Sequence, residues 1–144
     1  MPLDTNNPAG TVESQWAWQW SLMADDRCKN DALFWEWVQP VTARDLHGAR
    51  ILDAGCGGGH RLSIFEPHIA QGVGVDLSAH QESARRFKDS KKIQIEQGDI
   101  SVWQSKELFD FVFSVGVIQH TASPKETVKN LLSLVKPGGK AVFW

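Results

Sequence analysis

Between Arg50 and Trp144 the chain alternates short apolar runs with amphipathic stretches. The runs "RILDA", "GVGVD" (Gly72 to Asp76), "KIQIEQ", "FDFVFSV" and "KAVFW" are short and rich in β-branched and aromatic residues, and they predict five strands. The stretch "GHRLSIFEPHIA" predicts a helix broken near Pro67, and Gly98 ends the third strand. "AHQESARRFKD" predicts a helix capped by Ser78, with Glu82 only roughly in capping-box position. "SPKETVKNLLSLV" predicts a helix with Ser123 as cap, Pro124 at its first position and Glu126 completing the box. Its apolar stripe is Val128, Leu131, Leu132 and Val135, and "KPGG" is expected to terminate it. Strands that alternate with helices and are apolar on both faces imply a parallel sheet covered on both sides. Ligands on such sheets sit beyond the carboxyl ends of the strands, where strand order reverses, here beside the first strand.

Before Arg50 the pattern differs. Residues 1–11 are polar, contain Pro2, Pro8 and Gly10, and are expected to be disordered. Residues 12–47 are expected to form a helical, aromatic cap. Trp16, Trp18 and Trp20 alternate at strand period, while their flanks suit a helix, so that segment is open between the two. "NDALFWEWVQPV" predicts a helix capped by Asn30 or Asp31, with Leu33, Phe34, Trp37 and Val38 on its apolar stripe and Pro40 kinking or ending it. The aromatic cluster either packs on the sheet or closes over a ligand as a lid, and the two roles are compatible.

Composition narrows the class. The chain has 144 residues, which suits one domain, residues 48–144, carrying the cap. With 42% hydrophobic and 22% charged residues it reads as a soluble globular protein. A net charge of -2 makes nucleic acid an unlikely partner, and no apolar run is long enough to span a membrane. The polar start is no signal peptide, and Cys28 and Cys56 have no metal-site spacing, so two reduced thiols in a cytoplasmic protein are expected.

The candidate chemistry lies in "ILDAGCGGGH", Ile51 to His60. Gly55, Gly57, Gly58 and Gly59 allow a sharp turn and a close approach of ligand to main chain, with a helix starting behind. Two ligand classes want such a loop, dinucleotides and S-adenosylmethionine. The dinucleotide fingerprint, started at Gly55, requires Gly or Ala where His60 stands. Asp53 would repel a pyrophosphate and suits a ligand carrying an ammonium or sulfonium. Asp76 and Asp99 end the next two strands, placed to accept from ribose hydroxyls and an adenine amino group respectively.

In this order, "ILDAGCGGGH", "GVGVD", "GDI", "FDFVFSVGVIQH" and "LVKPGGKAVFW" resemble the motif series of class I S-adenosylmethionine-dependent methyltransferases, closest to the small-molecule type. The resemblance covers roughly Arg50 to Trp144. It implies a doubly wound, Rossmann-like α/β fold with strand order 3-2-1-4-5. It also implies that Gly55 and Gly57 meet the methionine part of S-adenosylmethionine and that Asp53 lies near its amino group. Asp76 would hold the ribose and Asp99 the adenine. Leu77 would pack on the adenine ring, and the Ile100 N–H would face a ring nitrogen. Ser114 to Val117 would border the transferring methyl.

The chain departs from the family in two places. After the fourth strand it reads "SVGVIQHT" in place of the acidic or Asn-Pro-Pro-aromatic motif of base-amine methylation. His120 is the titratable group there, either a general base or a residue that orders the loop. The family also continues past the fifth strand with a helix and an edge hairpin, so the domain is expected to be truncated there. The outer edge of "KAVFW", with Val142, Phe143 and Trp144 guarded only by Lys140, is then expected to favour self-association. The expected function is methyl transfer to a small-molecule nucleophile, without metal. The alternatives are a non-catalytic S-adenosylmethionine-binding module and, less favoured, a nicotinamide dinucleotide-binding domain.

Overall fold

The structure, a computed structural model, describes residues 31–144. The expectations for residues 1–11, for Trp16, Trp18 and Trp20, for Cys28 and for an Asn30 cap lie outside the described residues. The elements are α1 (Asp31–Trp37), β1 (Arg50–Ala54), α2 (His60–Phe65), β2 (Gln71–Asp76), α3 (His80–Arg86), β3 (Ile93–Gln97), β4 (Phe109–Ser114), a 3-10 turn (Ile118–His120), α4 (Pro124–Ser133) and β5 (Val135–Phe143). The five strands form one parallel sheet in the order β3-β2-β1-β4-β5. β1 is central, with Ile51 opposite both Gly72 and Phe111.

Alternation along β1 divides the core. Ile51 points to one face, with Leu62, Phe65, Phe113 and, from α1, Phe34 and Val38. Leu52 and Ala54 point to the other, with Val73, Val75, Val112, Leu131 and Leu134. Residues just before β1 therefore belong to the sheet's own core: Val38, Val41 and Leu46 are all buried. Each fully buried side chain of this size contributes about 1.5–3 kcal/mol relative to exposure.

Several local expectations are corrected. Trp37 is 41% exposed and off the core stripe. Phe34 and Val38, four apart, take the buried face, and the Trp37 ring lies flat on Trp144 at 4.8 Å. Trp35 packs edge-on against Phe65 instead. Ser78 does not cap α3, whose N-cap is Ala79 with no side-chain cap bond. Asp76 instead shapes the turn that leads into the helix: its Oδ1 accepts from the N–H groups of Ser78 (3.0 Å) and Ala79 (2.7 Å). Ser123 and Pro124 hold their expected positions, but no side-chain bond caps α4. The buried stripe of α4 runs through Thr127, Leu131 and Leu134, while Leu132 is exposed. Positions i, i+4 and i+7 share a face, and Thr127 is tolerated there because its hydroxyl donates to the Ser123 carbonyl. "KPGG" does not terminate the helix. It is a bulge inside β5, where pairing jumps from Phe109↔Val135 to Phe111↔Lys140.

Asp110 ties the bottom of the sheet. Its Oδ2 accepts from the Arg50 N–H (2.8 Å) and its Oδ1 from Lys136 Nζ (2.9 Å). These bonds, the Arg50 N–H above all, hold its carboxyl below the ordinary 3.8. A depressed carboxyl contributes stability above its unfolded value and loses it as pH falls through the folded one. Asp110→Asn is therefore expected to lower the urea midpoint at neutral pH. The two midpoints should converge once the pH drops well below 3.8.

Candidate cofactor site

A cleft of about 240 Å³ opens at the carboxyl ends of the strands, at the switch point beside β1. Its lining includes Gly55, Arg61, Asp76, Leu77, Asp99, Ile100, Gly116, Val117 and His120. Of the residues expected from sequence, Gly55, Asp76, Leu77, Asp99, Ile100 and His120 thus line one cleft.

Asp76 organises the glycine loop. Beyond its two bonds to the start of α3, its Oδ2 accepts from the Gly57 N–H at 2.9 Å. A carboxylate has about four lone-pair sites, so one remains on Oδ2. Gly57 has φ 53, in the left-handed region, and this turn aims its N–H at Asp76 rather than into the cleft. Gly55, at φ 79, has Val117 against it: a Cβ there would lie 2.5 Å from Val117 Cγ1.

The cleft's far wall is Asp99. Its Oδ1 accepts from both the N–H (2.9 Å) and the hydroxyl (2.7 Å) of Ser101. Leu77 is 47% exposed, a large apolar side chain left on the surface where an aromatic ring could cover it. His120, on the 3-10 turn, stands exposed at the rim.

Two expected residues lie beneath the cleft. Ser114 is fully buried and donates to the Ala54 carbonyl (2.9 Å), joining β4 to β1 instead of bordering a ligand. Asp53 is 0% exposed, with Arg61 between it and the cleft. Arg61 Nε donates to Asp53 Oδ1 at 3.3 Å, and its Nη2 to the Gly55 carbonyl at 2.7 Å. Asp53 Oδ2 is buried without a hydrogen-bond partner. Burial pushes the Asp53 carboxyl up, and the Arg61 guanidinium only partly offsets this. Burial likewise raises the Cys56 thiol, so it is a packing residue and no nucleophile.

Sequence reasoning missed Arg61 and Arg86. Arg86 Nε donates to the Gly58 carbonyl at 2.8 Å and braces the loop from α3. The available signal was Arg61's place on the first turn of α2, from which a long side chain folds back over the loop. Among the described residues, no group of three or more His, Cys, Asp or Glu could hold a metal ion, and no helix is long and apolar enough to cross a membrane.

A family model described as "Methyltransferase domain" matches residues 26–143. The chain belongs to the methyltransferase domain family. Within it, the chain is 31% identical over 102 residues to a ubiquinone biosynthesis O-methyltransferase of Coxiella burnetii, covering 68% of this chain and 44% of that protein. It is 30% identical to a tRNA U34 carboxymethyltransferase of Pseudoalteromonas atlantica, covering 76% of this chain and 35% of that protein. The methyltransferase domain thus spans less than half the length of these relatives. Its fold is shared with the N-methyltransferase NodS of Bradyrhizobium japonicum, solved with S-adenosylhomocysteine (TM-score 0.65, 18% identity, 89% of this chain and 71% of that one).

Proposed function

We propose that this chain is the cofactor-binding part of an S-adenosylmethionine-dependent methyltransferase whose acceptor is a hydroxyl or other nucleophile on a small molecule. The observation that carries this is the grouping of Asp76, Leu77 and Asp99 with the glycine loop around one cleft at the switch point. Those residues fit the donor's chemistry. Asp76 Oδ2 offers a lone pair to a ribose hydroxyl and Asp99 Oδ2 one to an adenine amino group. Leu77 offers an apolar face to the ring. Asp53 Oδ2, the buried oxygen without a partner, suits an ammonium. When bound, the donor supplies an electrophilic methyl on a sulfonium. The protein contributes proximity and alignment. His120, exposed at the rim, takes the proton of an acceptor hydroxyl on a ring nitrogen and returns it to water. The O-methyltransferase relative favours an oxygen acceptor.

The test has two parts. Calorimetry on this chain with S-adenosylhomocysteine and NAD is expected to show binding of the first alone, and binding of NAD alone would overturn the reading. Methyl release by the protein is then measured with a panel of small hydroxyl compounds and with bulk tRNA. Turnover only with tRNA would replace the small-molecule acceptor. Binding without turnover on either would leave a non-catalytic module.

A further inference from the structure

Asp99 and Ile100 stand on a turn that leaves the sheet after β3. Within it the bonds are local: the Asp99 carbonyl accepts from the N–H groups of Val102 (3.1 Å) and Trp103 (2.8 Å). Such bonds fix the shape of the turn but not its place against the rest of the fold. The Ile100 side chain is buried in the core, and the Trp103 indole N–H donates to Glu96 Oε2 on β3 at 3.0 Å. From the other side, Asn130 reaches across from α4. Its Nδ2 donates to the carbonyls of Ile100 (3.0 Å) and Trp103 (2.9 Å), and its Oδ1 accepts from Gln104 Nε2 at 2.6 Å. Both amide hydrogens are engaged by main-chain carbonyls of the turn, so the amide can face only one way. Three residues back on α4, Thr127 serves the opposite wall, its hydroxyl 2.9 Å from that of Thr121.

We infer that Asn130 is a positioning residue for base selection: it holds the turn so that Asp99 Oδ2 and the Ile100 N–H act together on the base, one as acceptor and one as donor. This rests on the proposed donor and names a residue that no part of the cleft lining includes. Adenine answers such a pair with an amino donor and an unprotonated ring nitrogen. Hypoxanthine presents the reverse, a carbonyl oxygen and a ring N–H, so like meets like at both atoms. Discrimination of this kind requires the two protein groups to be held at hydrogen-bond distance, because a wall free to shift accommodates the wrong partner. Asn130 does not touch the base; it acts through the turn.

The probes are S-adenosylhomocysteine and S-inosylhomocysteine, which differ only at that edge of the base. Calorimetry is run on the chain and on Asn130→Asp, Asn130→Ala and Thr127→Val, with thermal melts alongside. The unaltered chain is expected to prefer the adenine probe by about a hundredfold or more. Asn130→Asp keeps the shape but sets a carboxylate oxygen against the two carbonyls, and it should cut the preference to about tenfold or less, chiefly by weakening S-adenosylhomocysteine. Asn130→Ala lets water reach the freed carbonyls and should lose preference in the same way; should Asn130→Asp not fold, it decides alone. Thr127→Val removes a buried hydroxyl from the same helix and should lower the melt while leaving the preference within about twofold. Asn130 variants that melt lower yet keep the preference would overturn the inference, because the residue would then serve only the fold. An equal loss of preference in Thr127→Val would overturn it too, since the effect would belong to α4 as a whole. So would tight binding of both probes by the unaltered chain. If the unaltered chain bound neither, the donor assignment itself would fall, a result distinct from these.

Discussion

Asp76→Ala is expected to weaken S-adenosylhomocysteine binding at least tenfold and to lower stability by about 2–4 kcal/mol at the same time. The two losses have one cause. The carboxylate accepts from the N–H groups of Gly57, Ser78 and Ala79, which join the glycine loop to the start of α3. Each hydrogen bond to a charged group contributes about 1.5–3 kcal/mol, and water recovers part of it at exposed positions. Alanine frees the loop and removes the remaining ligand acceptor together. Calorimetry and a thermal melt on the same sample separate the effects. Lost affinity with an unchanged melt would mean that the backbone bonds are idle. A lowered melt with unchanged affinity would mean that Asp76 serves only the fold. Asp76→Asn should fall between, because its one carbonyl oxygen cannot serve both ends of the loop.

Gly57→Val is expected to abolish measurable binding, a loss of about a hundredfold or more, while the sheet survives. A β-branched residue at φ 53 carries a left-handed strain of about 1–2 kcal/mol or more. The backbone relieves that strain by leaving the left-handed region, and the N–H then no longer meets Asp76. Far-ultraviolet circular dichroism should stay close to the unaltered chain, because Gly57 lies in the turn and contributes nothing to either core. Normal affinity in this variant would show that the loop geometry does not matter to the ligand.

The sheet was legible because short strands buried on both faces have few other readings. Four of the five strands fall within a residue or so of the expected runs. β5 did not, because a bulge built on Pro137 and Gly138 looks in sequence like a helix stop followed by a fresh strand. At the site, Asp76 and Asp99 were readable as acids at strand ends. What Asp76 does for the loop was not, since its bonds to the N–H groups of Gly57, Ser78 and Ala79 depend on turn geometry that composition does not show. Asp53 was read as an acid at the end of the first strand that suits an ammonium or sulfonium, and its burial was not visible. That depends on Arg61, whose side chain spans the loop in space and not in the chain. The α4 stripe was misread because Thr127, a polar residue with its hydroxyl satisfied by Ser123, takes a core position that pattern alone gives to Val128.

The central place of β1 also has a kinetic consequence. Arg50 meets Gln71 and Gly72 meets Ile93, so β1, β2 and β3 zip together through similar short crossovers. Ile51 meets Phe111 only after all of that chain has been made and folded back. With β1, β2 and β3 paired, the loop still to be closed runs only from Gln97 to Phe109, and its chain-entropy cost is modest. That cost is small beside the burial of Phe111 and Phe113. The seam between β1 and β4 is therefore a late joint of assembly, and the cleft lies across it, with Gly55 on one side and Val117 on the other. A ligand that touches both sides recognises only chains in which the joint has closed. It should draw refolding to completion by mass action without quickening the first half.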